Sequence, residues 1–93
     1  IYLAGQVAMG ENVAAQTTAI LAQIDDLLAQ GGSDKTKILS ATIWLCSMDD
    51  FAEMNAVYAE FFDEDTAPAR STVQVAGLPL NAEMEIEVMA SLD

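Results

Sequence analysis

The chain switches between two hydrophobic periods, and the switches mark out its elements. Residues 1–8, IYLAGQVA, form an apolar, partly β-branched run stopped by Gly10, and read as a strand. From Val13 the apolar positions take helical spacing: Val13, Ile20, Leu21, Ile24, Leu27 and Leu28 form one stripe, with Gln16, Gln23 and Asp26 largely off it. Asn12 stands where a cap belongs, and Gly31-Gly32 supplies a left-handed stop. Ile38 to Cys46 (ILSATIWLC) is apolar on both faces, which predicts a central strand covered twice. Asp49 or Asp50 is expected to cap a second helix, with Phe51, Met54, Tyr58, Phe61 and Phe62 on its inner face. Pro68 imposes an extended entry into a strand over Arg70 to Ala76, and Gly77-Leu78-Pro79 breaks it. Met84 to Leu92 then alternates, with Met84, Ile86, Val88 and Ala90 on one face and Glu85, Glu87, Met89 and Ser91 on the other.

The order β-α-β-α-β-β predicts an α+β domain, with two helices packed on one face of a shared mixed sheet. The opposite face is expected to hold Ser40, Thr42, Thr72, Gln74 and parts of the last strand. That semi-polar, uncharged face invites other subunits. Length changes the picture further. The 93 residues are 53% hydrophobic, with a mean hydropathy of +0.28. A lone domain of this size hides only roughly 60–65% of its unfolded surface, so surplus apolar area points to self-assembly. There is no linker, repeat or low-complexity tract, which predicts one domain over residues 1–93. The start at Ile1, inside an apolar run, predicts an N-terminally incomplete domain. No apolar run approaches the roughly 18 residues of a membrane span, and no membrane partner is expected.

Charge removes whole classes of chemistry. Against 15 acidic residues stand Lys35, Lys37 and Arg70, with no histidine and a net charge of −12. A histidine base, a histidine metal ligand and a hydrolase triad around Ser71 or Thr72 are excluded. A nucleic-acid partner is not expected either, because three cations cannot neutralise a phosphate track. The single Cys46 forbids an intrachain disulfide or a multi-cysteine zinc site, reads as inert core, and suits a reducing, cytoplasmic setting. No metal or cofactor motif is present.

The candidates that survive are few. Arg70, the single arginine, sits at a strand mouth after Pro68-Ala69. It either pairs with a surface carboxylate or clamps an anionic ligand through its planar fork. Glu85 and Glu87 share one strand face, which is either the solvent side of an edge strand or the wall of a pocket. Asn55 is polar on an apolar helix face and reads first as an anchor for neighbouring backbone. The short run Asp63-Glu64-Asp65 reads as a solvated loop.

At this point several segments resemble one family. Ile1 to Val7 is similar to the "SGQ" strand of the RidA (YjgF) family, also called the endoribonuclease L-PSP family. Asp49-Asp50-Phe51 with Asn55, Val57-Tyr58 and Phe61-Phe62 resembles its "DF…N…Y…FF" helix. Pro68-Ala69-Arg70-Ser71-Thr72-Val73 resembles its "PARSxV" signature, and Glu85 to Ala90 its terminal "EIEAIA". The resemblance spans the chain and implies a chorismate-mutase-like α+β fold with a further N-terminal strand, assembled as a homotrimer with pockets between subunits. It implies deamination of reactive 2-imino or enamino acids to 2-oxo acids and ammonia, without a cofactor. Carried onto this sequence, Arg70 would hold the substrate carboxylate and Glu85 would act on the attacking water. Gly5 and Thr72 would line the pocket, with Asn55 joining the substrate-binding set and Glu87 structural or interfacial. Ala4 stands where deaminating members usually carry Ser, and Thr72 where they usually carry Cys. A trimer that binds a small 2-oxo acid without turning it over is the alternative, and an endoribonuclease comes third.

Overall fold

A computed structural model describes residues 1–92. Its order is β1 (Tyr2–Gln6), α1 (Val13–Gln30), β2 (Ile38–Leu45), α2 (Phe51–Phe61), β3 (Ala69–Gln74) and β4 (Met84–Ala90), with three short 3₁₀ turns between them. The four strands form one mixed sheet in the order β1-β4-β2-β3. β4 runs antiparallel to both β1 and β2, and β3 runs parallel to β2 after crossing over through α2. Both helices lie on one face of the sheet. Both strand-and-helix halves follow from the two hydrophobic periods.

Helix α1 starts as its sequence demands: the Asn12 side chain accepts from Ala15 N at 2.8 Å. Its C-terminus closes with Gly32 at φ 83 and Ser33 N donating to Leu28 O at 2.8 Å, a bond that the left-handed residue makes possible. Val13, Ile20, Ile24 and Leu28 from α1 meet Ile43, Leu45, Met84 and Ile86 from the sheet, and Met54 from α2 joins them. Each such side chain contributes on the order of 1.5–3 kcal/mol on burial.

Several expectations change in three dimensions. Gln16 is buried, although it sits outside the apolar stripe. Ser47, not Asp49 or Asp50, caps the turn before α2: its hydroxyl accepts from Asp49 N at 3.2 Å, while Asp50 makes no capping bond. Cys46 lies just past β2, half-buried, with its thiol donating to Ala82 O at 3.3 Å. β2 is central, but the helices cover only the face with Ala41, Ile43 and Leu45, leaving Ser40, Thr42 and Trp44 on a half-buried open face. Thr72 and Gln74 do not share that open face. Register pairs them with Ile43 and Leu45, so they turn towards the helices, while Ser71 and Val73 pair with Thr42 and Trp44. Finally, β4 is an interior strand, not an edge, because β1 folds back beside it.

Candidate functional site

The polar candidates fall into two clusters, one on each side of the sheet. The first surrounds Arg70. Alignment with the buried Ala41 puts this side chain on the helix face of β3, beneath α2. Phe51, Asn55 and Tyr58 sit one and two turns apart along α2, so a single helix face presents all three. The guanidinium carbon lies 5.4 Å from the Phe51 ring centroid and 4.9 Å from that of Tyr58, where the ring faces attract a cation. Arg70 Nη1 donates to Asn55 Oδ1 at 2.5 Å.

Asn55 therefore anchors a side chain, not the neighbouring backbone. Among the described residues Arg70 makes no ion pair, despite fifteen carboxylates in the chain. A guanidinium has five N–H donors, and the Asn55 bond occupies one of them. Beside it opens a cleft of about 430 Å³, walled by Tyr58, Phe62, Ala67 and Pro68, with Glu64 at its margin. Burial raises the Tyr58 hydroxyl above the ordinary tyrosine range, with the nearby Arg70 charge opposing. The Tyr58 and Thr72 hydroxyl oxygens are buried without a hydrogen-bond partner among the described residues.

The second cluster lies on the open face. Glu85 and Glu87 alternate with the buried Met84, Ile86 and Val88, so both point away from the helices. Across the β1–β4 ladder, Leu3 pairs with Val88 and Gln6 with Ile86, so three steps on β1 oppose two on β4. The extra residue makes a bulge at Ala4-Gly5. The bulge carries Gly5 against Glu85: a Cβ on Gly5 would stand 2.7 Å from the glutamate Cδ. Only a residue without a side chain leaves the carboxyl that place. Glu87 is engaged differently, since Tyr2 donates its hydroxyl to Glu87 Oε2. That bond is the main reason the Tyr2 hydroxyl is raised above its ordinary value.

The structure thus joins Arg70 with Asn55, sets Thr72 on the same face of β3, and joins Glu85 with Gly5. It does not join the two groups within one chain, because the sheet separates them. Phe51 and Tyr58 are the neighbours of Arg70 that hydrophobic patterning conceals, since they read as core. Their spacing around Asn55, with one arginine to receive all three, is the signal that could have exposed them. No three His, Cys, Asp or Glu side chains cluster to hold a metal among the described residues, and no described helix is long and apolar enough to cross a membrane.

Fold and clusters together define a small two-layer α+β protein with its polar groups divided between the faces of one sheet. The family model described as endoribonuclease L-PSP matches residues 1–92, and the chain belongs to that family. A RutC family protein of Synechocystis is 40% identical, covering 99% of this chain and 78% of the relative. Reactive Intermediate Deaminase A from Arabidopsis chloroplasts is 42% identical over 90% of this chain, which spans 44% of that protein. Among solved structures, a YjgF-family protein from Neisseria meningitidis superposes with a TM-score of 0.93 at 40% identity, covering 99% of this chain and 78% of the other. Yeast Mmf1 superposes equally well, at 32% identity and the same coverage.

Proposed function

We propose that the chain assembles as a homotrimer and hydrolyses small 2-imino or enamino acids to 2-oxo acids and ammonia in pockets between subunits. The observation that carries this reading is the preset Arg70. It is backed by two aromatic faces, oriented by Asn55 and left without an ion pair among the described residues. Such a fork receives a small carboxylate through two parallel N–H bonds. Assembly follows from the division of the site: Glu85 can approach an anion held by Arg70 from another copy, not from its own. The name of the Arabidopsis relative points to the same chemistry.

The reaction suits this inventory. An imine carbon is electrophilic as it stands, so no cofactor has to activate it. Water oxygen adds to that carbon while the C=N electron pair moves to nitrogen, and Glu85 passes the water proton to the nitrogen. In the tetrahedral adduct Glu85 then carries the hydroxyl proton to the amine nitrogen, the C–N bond breaks with its electron pair going to nitrogen, and ammonia leaves as the C=O bond forms. Holding water, carboxylate and imine together supplies most of the rate. The test is ammonia release from an imine generated in place by an amino-acid oxidase. Faster release than in buffer supports hydrolysis. Binding of 2-oxobutyrate with no acceleration on any imine selects the non-catalytic binding trimer instead.

A further inference from the structure

Gln16 is the polar residue that the core of α1 should have rejected. It is 5% exposed, and both ends of its amide are used. Nε2 donates to Gly10 O at 3.2 Å, in the loop leaving β1, and Oε1 accepts from Glu83 N at 2.9 Å, at the entry to β4. Gly10 is fitted to this contact, since a Cβ there would stand 2.9 Å from Gln16 N and 3.1 Å from Gln16 Cγ.

The place of this bridge matters more than its strength. The β1–β4 ladder has its last partners at Gln6 and Ile86. Beyond them the two segments have no further ladder partners, and Gln16 ties one to the other. Glu85 lies one residue past the last partner and two residues from Glu83, while its carboxyl rests on Gly5 of the other strand. The β4 side is held by its ladder to β2, with Glu85 opposite Trp44 and Glu83 O accepting from Cys46 N at 3.0 Å. Gln16 therefore sets how closely the segment carrying Gly5 and Gly10 stands against that carboxyl.

We propose that Gln16 is a positioning residue for Glu85: by clamping the Gly10 carbonyl and the Glu83 amide, it sets the Glu85 carboxyl against the Gly5 backbone. The inference rests on the reading of Glu85 as the carboxylate that handles the attacking water. Two variants test it. Gln16→Met keeps the length and removes both bonds; Gln16→Glu keeps an acceptor for Glu83 N and loses the donor to Gly10 O. In Gln16→Met, kcat for ammonia release falls about 10-fold or more, since small misplacements of a reacting group are costly. KM, set by Arg70 and Asn55, stays within about 2-fold, and Gln16→Glu recovers part of kcat.

A merely structural glutamine would lower the folded fraction and leave kcat per folded molecule unchanged. A second readout needs no turnover. The Glu85 carboxyl ¹³C resonance, at fixed pH, moves in Gln16→Met and returns towards its place in Gln16→Glu, while that of Glu87 stays put. If the wild type releases no ammonia, the deaminase reading fails and this resonance alone decides the role of Gln16. If Gln16→Met does not fold, Gln16→Leu, which also removes both bonds, takes its place in both readouts. An unmoved resonance, or a raised KM at constant kcat, overturns it.

Discussion

Arg70 and Glu85 project from opposite faces of one sheet. Arg70 aligns with the buried Ala41 under the helices, and Glu85 pairs with Trp44 on the open side. A pocket that uses both draws them from different copies, which gives a prediction about mixtures. Arg70→Ala and Glu85→Gln proteins should each be strongly impaired alone. Unfolded together in equal amounts and refolded, they should regain about a quarter of wild-type activity, because each mixed three-membered ring restores one pocket in three. An unrestored mixture would place both residues in one subunit's pocket or remove one from the site.

Assembly itself should be visible as mass. The open face exposes Val73 beside the half-buried Trp44, and Tyr2 and Met89 further along the sheet. Light scattering should give about three times the 9.9 kDa chain mass. Val73→Glu should shift the population towards monomer, as each copy would carry a charge into the apolar face that association buries.

Arg70→Lys should behave almost as Arg70→Ala. An ammonium lacks the planar fork that Asn55 orients beside Phe51 and Tyr58. Calorimetry with 2-oxobutyrate should show a loss on the order of 2–4 kcal/mol for either variant. Asn55→Asp should also weaken binding, by pairing the guanidinium with a carboxylate of its own. Wild-type affinity in Arg70→Ala would take Arg70 out of the site.

Gly5→Ala and Glu85→Gln should both reduce imine hydrolysis by about 10²-fold, the scale of a lost proton-transfer group. In Gly5→Ala the new methyl displaces the end of a flexible side chain, so the melting temperature should hardly change. Glu87→Gln should keep the rate within about 3-fold, because its partner is Tyr2 and not a reacting group. A dead Glu87→Gln beside an active Glu85→Gln reverses the assignment.

Alkali should weaken the fold through Tyr58. Burial favours its neutral form, so its folded pKa stands above the unfolded value of 10.0. The unfolded chain then releases the proton first. The stabilising contribution is complete below that unfolded value and is lost as pH rises through the folded one. Melting scans should show a steeper alkaline decline in the wild type than in Tyr58→Phe; parallel declines would exclude Tyr58 as the cause.

How much of this the sequence carries depends on how local each feature is. Element order, the Asn12 cap and the left-handed Gly32 follow from neighbours within a few residues, and all are legible. The face taken by Thr72 and Gln74 is not, because strand alternation leaves two choices and the register of β3 against β2 selects one. The burial of Gln16 has the same origin, since its two partners lie 6 and 67 residues away. Arg70 stands out by being alone, whereas its aromatic backing is hidden in residues that also serve the core. The bulge at Gly5 leaves no mark beyond the glycine itself.

If other copies cover the open sheet face as proposed, how long a chain survives is tied to how many of its fellows are present. Mass action stabilises whatever association buries, and among the described residues the outer edge of β3 offers unpaired backbone to any passing strand while it stands open. Dilute chains are therefore the vulnerable ones, open to proteases and stray pairing, and the like charge of −12 on each is what keeps them apart meanwhile. Abundance would then regulate itself from below: a cell making too little of this protein would lose it faster than one making enough.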